Sequence, residues 1–117
     1  MTVEVELQRA LAPMVEDRLF PDEAPADTAL PYATYSQIGG KALTFLAGLP
    51  DKRNGRFQFN VWAKTRDEAN ALMRAIADAL ELDDVLQATP LGELAATLEP
   101  ETKLRGATQD FSIWFPR

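Results

Sequence analysis

The run Arg56-Phe-Gln-Phe-Asn-Val-Trp-Ala-Lys64, followed directly by Thr65-Arg66-Asp67-Glu68-Ala69, decides how this chain folds. Phe57, Phe59, Val61 and Ala63 alternate with Gln58, Asn60, Trp62 and Lys64. A period of two sends successive side chains to opposite faces, so the run predicts a β-strand with one strongly apolar face. After Thr65 the period changes. Ala69, Leu72, Met73, Ile76 and Leu80 recur at helical spacing, with Arg66, Asp67, Asn70, Arg74, Asp78 and Glu81 largely off the stripe. Thr65-Arg66-Asp67-Glu68 has the form of a capping box, in which each end residue's side chain accepts from the other's backbone N–H. A strand running straight into a capped amphipathic helix makes a corner whose two apolar faces pack together.

Upstream, Thr2 caps a first helix over about residues 3–12, with Glu4 and Glu6 in its first turn and Pro13 at its end. Val3, Leu7, Ala10, Leu11 and Met14 form its stripe. Arg18-Leu-Phe20 before Pro21 reads as a short edge strand, and residues 21–31, with Pro21, Pro25 and Pro31, as a surface loop. Residues 32–38 are rich in aromatic and β-branched side chains and read as a strand ending at Gly39-Gly40. The glycine pair before Lys41 is a turn or bulge; the frame of a phosphate loop is missing around it. Ala42 to Leu46 is a candidate strand. Residues 39–55 together read as a long hairpin arm closed by Asn54-Gly55, loosely held in the free subunit and ordered on assembly.

Downstream, Asp83-Asp84 opens a turn, and residues 85–93 are irregular around Pro90 and Gly92. Leu94 to Glu99 and Leu104 to Phe115 are the remaining strands, the latter with Phe111, Ile113 and Phe115 opposite Asp110, Ser112 and Trp114. The expected fold is α+β: a single antiparallel sheet with two helices on one face and a long hairpin arm, in one domain spanning residues 1–117. Trp62 and Trp114 both fall on the face away from the phenylalanines. A loop folded over that face and a partner surface both account for them.

Composition narrows function. A chain of 117 residues, 46% hydrophobic and 26% charged, is ordinary globular material. It has no cysteine and no histidine, which removes thiolate chemistry together with the commonest general base and metal ligand. No catalytic, cofactor or metal residues are expected. Asp78, Glu81, Asp83 and Asp84 lack the spacing of a calcium loop and read as a solvated helix end. The start of the chain lacks the pattern of a signal peptide, and no segment is apolar enough to cross a bilayer, so a soluble intracellular protein is expected. The net charge of −6 argues against duplex nucleic acid as a partner. It is uneven: residues 41–74 carry seven basic and three acidic side chains, whereas residues 75–101 carry seven acidic and no basic ones. Either solvated faces differ by chance, or an acidic and a basic surface meet between subunits.

The order of elements, with Arg18-Leu-Phe-Pro21, Leu30-Pro-Tyr32, Val61-Trp-Ala63, Glu99-Pro-Glu-Thr102 and Asp110-Phe-Ser-Ile-Trp114, resembles the tail completion proteins of long-tailed bacteriophages and prophages. That family, and the tail terminators it looks like, are tail-to-head joining proteins. The resemblance implies a non-enzymatic structural protein at the head-proximal end of the tail, present in the host bacterial cytoplasm during assembly. It implies an antiparallel sheet carrying two helices and a ring, commonly hexameric, in the assembled state, with a monomer left open for the isolated chain. The implied partners are further copies of itself, the tail tube protein and the head–tail connector; no membrane and no sequence-specific nucleic acid are implied. Lys41, Lys52, Arg53, Arg56, Trp62, Asp83, Asp84 and Trp114 are the candidate assembly residues, with the basic set expected to meet Asp83 and Asp84 of a neighbour. The competing expectation is a small cytosolic α+β ligand-binding or regulatory dimer that uses the tryptophan-bearing face.

Overall fold

A computed structural model describes residues 2–42 and 51–116. In chain order these form α1 (Val3–Leu11), a 3-10 turn (Ala12–Val15), β1 (Leu19–Pro21), β2 (Tyr32–Gln37), β3 (Lys52–Ala63), α2 (Arg66–Leu82), β4 (Thr89–Pro90), β5 (Ala95–Leu98) and β6 (Arg105–Pro116). The α+β expectation holds. The strand expected over Ala42 to Leu46, and the body of the expected arm, fall largely on residues 43–50, outside the described residues.

The sheet is built on one long pairing. β3 and β6 run antiparallel along their whole lengths, from Lys52↔Pro116 to Ala63↔Arg105. Twelve-residue strands rising about 3.3 Å per residue give a ribbon of roughly 40 Å, which sets the 52 Å long axis of the molecule. β2 lies antiparallel on the free edge of β3, while β4 and β5 share the other edge of β6. β1 departs from the expected antiparallel sheet: it pairs parallel to β2, Leu19↔Ala33 to Pro21↔Tyr35. The intervening loop carries the chain back across the strand ends, as a parallel pair requires. Arg18 holds that loop, donating to the carbonyl oxygens of Pro31 at 2.9 Å and Leu30 at 3.3 Å.

Asn54-Gly55 also departs from expectation. Both residues lie inside β3, opposite Trp114 and Ile113, rather than in a turn. A Cβ on Gly55 would stand 2.5 Å from Phe57 Cε2 and 3.0 Å from Phe115 Cε1, so glycine here admits two packed rings. Gly40, at φ +149°, comes equally close to β3: a Cβ would lie 2.1 Å from the Asn54 carbonyl oxygen. The glycine pair therefore serves backbone approach. Ile38 N–H to Arg56 O and Arg56 N–H to Gly39 O carry the β2–β3 ladder past Gln37.

The helices follow the sequence closely. The Thr2 hydroxyl accepts from Val5 N–H and the Thr65 hydroxyl from Glu68 N–H, both at 3.2 Å. α1 stops at Leu11, before Pro13. Ala69, Met73, Ile76 and Leu80 are fully buried against the sheet, whereas Leu72 sits half-buried on the flank of the stripe. With Leu7, Leu11, Val15, Phe57, Phe59, Val61, Phe111 and Ile113 they form one core. The Phe59 and Phe111 rings meet edge-to-face with centroids 5.8 Å apart, a favoured aromatic arrangement. Gln109, the polar side chain on this face, donates to Gly92 O at 2.8 Å and pins the irregular 91–94 segment. No helix is long and apolar enough to cross a membrane among the described residues.

Candidate assembly surface

The face of the sheet away from the helices carries Tyr32, Thr34 and Ser36 on β2, Asn54 to Trp62 at alternate positions on β3, and Gly106 to Trp114 on β6. Its two ends differ in chemistry.

At one end is a pocket of about 390 Å³ with Tyr32, Thr34, Asn60 and Trp62 beneath it and Asp22, Glu23 and Glu99 around it. Tyr32 and Trp62 are direct cross-strand partners. Trp62 lies over Gly106, where a Cβ would come within 2.7 Å of its ring. Asp22 arrives at the end of β1 and accepts from the Ser36 hydroxyl at 3.0 Å. Glu99 arrives from the turn after β5, closed by Glu99 N–H to Leu104 O and Lys103 N–H to Glu99 O. Arg66 fixes that turn to the start of α2, donating to Thr97 O at 2.6 Å and to Gly106 O. Burial, with the Glu99 charge behind it, pushes the Tyr32 phenol above its usual pKa. Four of the five stretches quoted for the family resemblance meet here, around Pro21, Tyr32, Trp62 and Glu99.

At the other end β3 and β6 project beyond β2 as a two-stranded ribbon. A pocket of about 420 Å³ is lined there by Lys41, Asn54, Arg56, Ser112 and Trp114, among others. Asn54 is buried; it donates to Ser112 Oγ at 2.8 Å and accepts from Lys41 N–H at 2.9 Å. Arg56 is engaged within the chain, 2.7 Å from Asp110 across the β3–β6 pair. Lys52 and Arg53 are exposed at the tip.

The residues singled out in the sequence are thus dispersed. Lys41, Arg56 and Trp114 share a pocket. Trp62 shares their face but sits eight residues along the β3–β6 pairing from the Asn54↔Trp114 position, about 26 Å away at the strand rise. Asp83 caps the end of α2, accepting from Arg9 and Leu86 N–H at 2.9 Å and from Val85 N–H at 3.1 Å. Burial works to raise its pKa, but these donors outweigh it and hold the carboxyl below its usual value. Arg9 also pairs with buried Glu6 at 2.9 Å, tying α1 to the end of α2. Asp84 is exposed beside them. Arg53 stands opposite Phe115, which lines an apolar pocket with Val85 and Leu86. Arg53 and the Asp83-Asp84 turn therefore lie at the same end of the molecule. Asp22, Glu23 and Glu99, at the far end, are the site residues the sequence reading missed. Glu99 is remote from the other two in sequence, and no local spacing links them. Among the described residues no group of carboxylates is placed to hold a metal ion.

The sequence family described as Tail completion protein gp17 matches residues 5–116 of the chain. No curated protein matches it.

Proposed function

The chain belongs to the tail completion protein gp17 family, and on that premise we propose that it caps the head-proximal end of the phage tail tube and joins the tail to the head connector. It acts as a ring of identical subunits, six in the assembled state, and performs no catalysis. The family match over residues 5–116 is the observation that carries this reading. The geometry supports it through the two-ended sheet face. A cyclic assembly uses a heterologous contact, in which one patch of each subunit meets a different patch of the next. An elongated subunit with acidic-aromatic and basic ends is suited to that contact. Such a ring stops tube growth because the surface it turns outward differs from that of the tube subunits beneath. The further partners are the tail tube protein and the connector.

Deletion of the gene, with imaging of the particles made, tests this directly. Overlong or headless tails are expected; normal virions would overturn the proposal. Light scattering on the purified protein distinguishes the competing ligand-binding dimer, which would give a stable two-chain mass at all concentrations.

A further inference from the structure

We propose that the pocket between Asp22, Glu23 and Glu99 receives a basic side chain, Lys52 or Arg53, from a second copy of this chain. The inference rests on the self-association proposed above and names the contact that produces it.

Three features of the pocket select an organic cation. Its carboxylates stand around a cavity of about 390 Å³ and do not converge on a point where a metal ion would sit. Its floor is aromatic, the paired Tyr32 and Trp62, and aromatic rings attract guanidinium and ammonium groups through their quadrupoles. Thr34 is 6% exposed and lines the pocket; its hydroxyl has no hydrogen-bond partner among the described residues, while neighbouring Ser36 and Asn60 are engaged with Asp22 and Gln58. A threonine hydroxyl can accept a hydrogen bond, so a cationic donor entering the pocket finds a free acceptor there. No Lys or Arg is among the residues lining the pocket, so its negative charge is uncompensated at close range.

The chain itself supplies the complement. Lys52 and Arg53 are exposed at the tip of the β3–β6 ribbon, and Arg56, the next basic residue, is already paired with Asp110. Along β3 the tip is ten residues from Trp62, about 33 Å at the strand rise, so neither side chain can reach the pocket of its own subunit. Two complementary patches that cannot meet within one subunit, and do not overlap, meet between subunits. That arrangement is head-to-tail, as ring closure requires. Exposed charges at about 0.15 M salt act over roughly 8 Å, so the contact sets register and association rate once the surfaces are close.

The test uses the full-length protein supplied in trans to the phage deleted for the gene, with infectious titre as the readout. One variant reverses the pocket, Glu23→Lys with Glu99→Lys; the other reverses the tip, Lys52→Glu with Arg53→Glu. Each alone is expected to lower titre by at least about tenfold, since it sets like charges against each other. Expressed together they are expected to restore it. Each variant then meets only the other, with opposite charges at both junctions, and the rescue shows that both fold. If either variant alone supports the parental titre, the pocket–tip contact is wrong while the capping function stands. If both fail and co-expression does not restore titre, a second copy is not the occupant and the proposal falls. Full titre from the deletion phage without complementation would overturn the capping function itself, and this contact with it.

Discussion

The two faces of this sheet come from the same strands and do different work. On one, Phe57, Phe59, Val61, Phe111 and Ile113 are at most 1% exposed beneath two helices. On the other, reached by stepping one residue along each strand, lie Gln58, Asn60, Asp110 and Ser112 between two tryptophans at opposite ends. The first face is saturated within the subunit. The second leaves the Thr34 hydroxyl without a hydrogen bond among the described residues and an aromatic floor among carboxylates, while Lys52 and Arg53 stand exposed at the projecting tip. The fold is closed by one face and the assembly, on our proposal, by the other.

Substitution on β3 should show this contrast most strongly. Phe59→Ala is expected to cost about 3–5 kcal/mol in urea unfolding, and Gln58→Ala beside it less than about 0.5 kcal/mol. Comparable losses would mean the open face is also needed for folding. Within α2, Ile76→Ala should cost about 2–5 kcal/mol as a core truncation. Leu72→Ala, half-buried, should cost nearer 1 kcal/mol. Equal costs would place Leu72 in the core as its spacing suggests. Gly55→Ala should destabilise by about 1–3 kcal/mol, because the added methyl group forces Phe57 and Phe115 apart. A neutral result would show that the ribbon is more loosely packed than its rings indicate.

The smallest expected effect concerns pH. The Asp83 carboxyl has a lowered pKa in the folded chain, against an ordinary value of about 3.9 when unfolded. Its stabilisation is therefore complete above that value and lost as pH falls through the folded pKa. Asp83→Asn removes this linkage, so stability measured from about pH 6 to about pH 3 should fall less steeply than in the parent. An unchanged slope would detach Asp83 from the acid response.

What was legible in the sequence was what is local or periodic. Alternation at 57–63, the stripe at 69–80 and the caps at Thr2 and Thr65 each fix a geometry through neighbours a few residues away. Asn54-Gly55 misled because its turn chemistry is local, whereas its place in β3 is set by Phe115 and Ser112, more than fifty residues on. The parallel pairing of β1 depends on where a proline-bearing loop returns the chain, which no period encodes. Asp83 reads as part of a solvated helix end in the sequence because its partner Arg9 lies 74 residues away. The acidic pocket was hidden for the same reason: each of its carboxylates sits in a loop, and only the sheet register brings them around Tyr32 and Trp62.

Electron cryomicroscopy of the head-proximal end of the virion tail tests the central claim most directly. The account predicts a closed ring of this chain, with Lys52 or Arg53 of each subunit within about 4 Å of Glu23 or Glu99 of the next. A ring whose acidic pockets stand open to solvent, or a tail end without this chain, would contradict it.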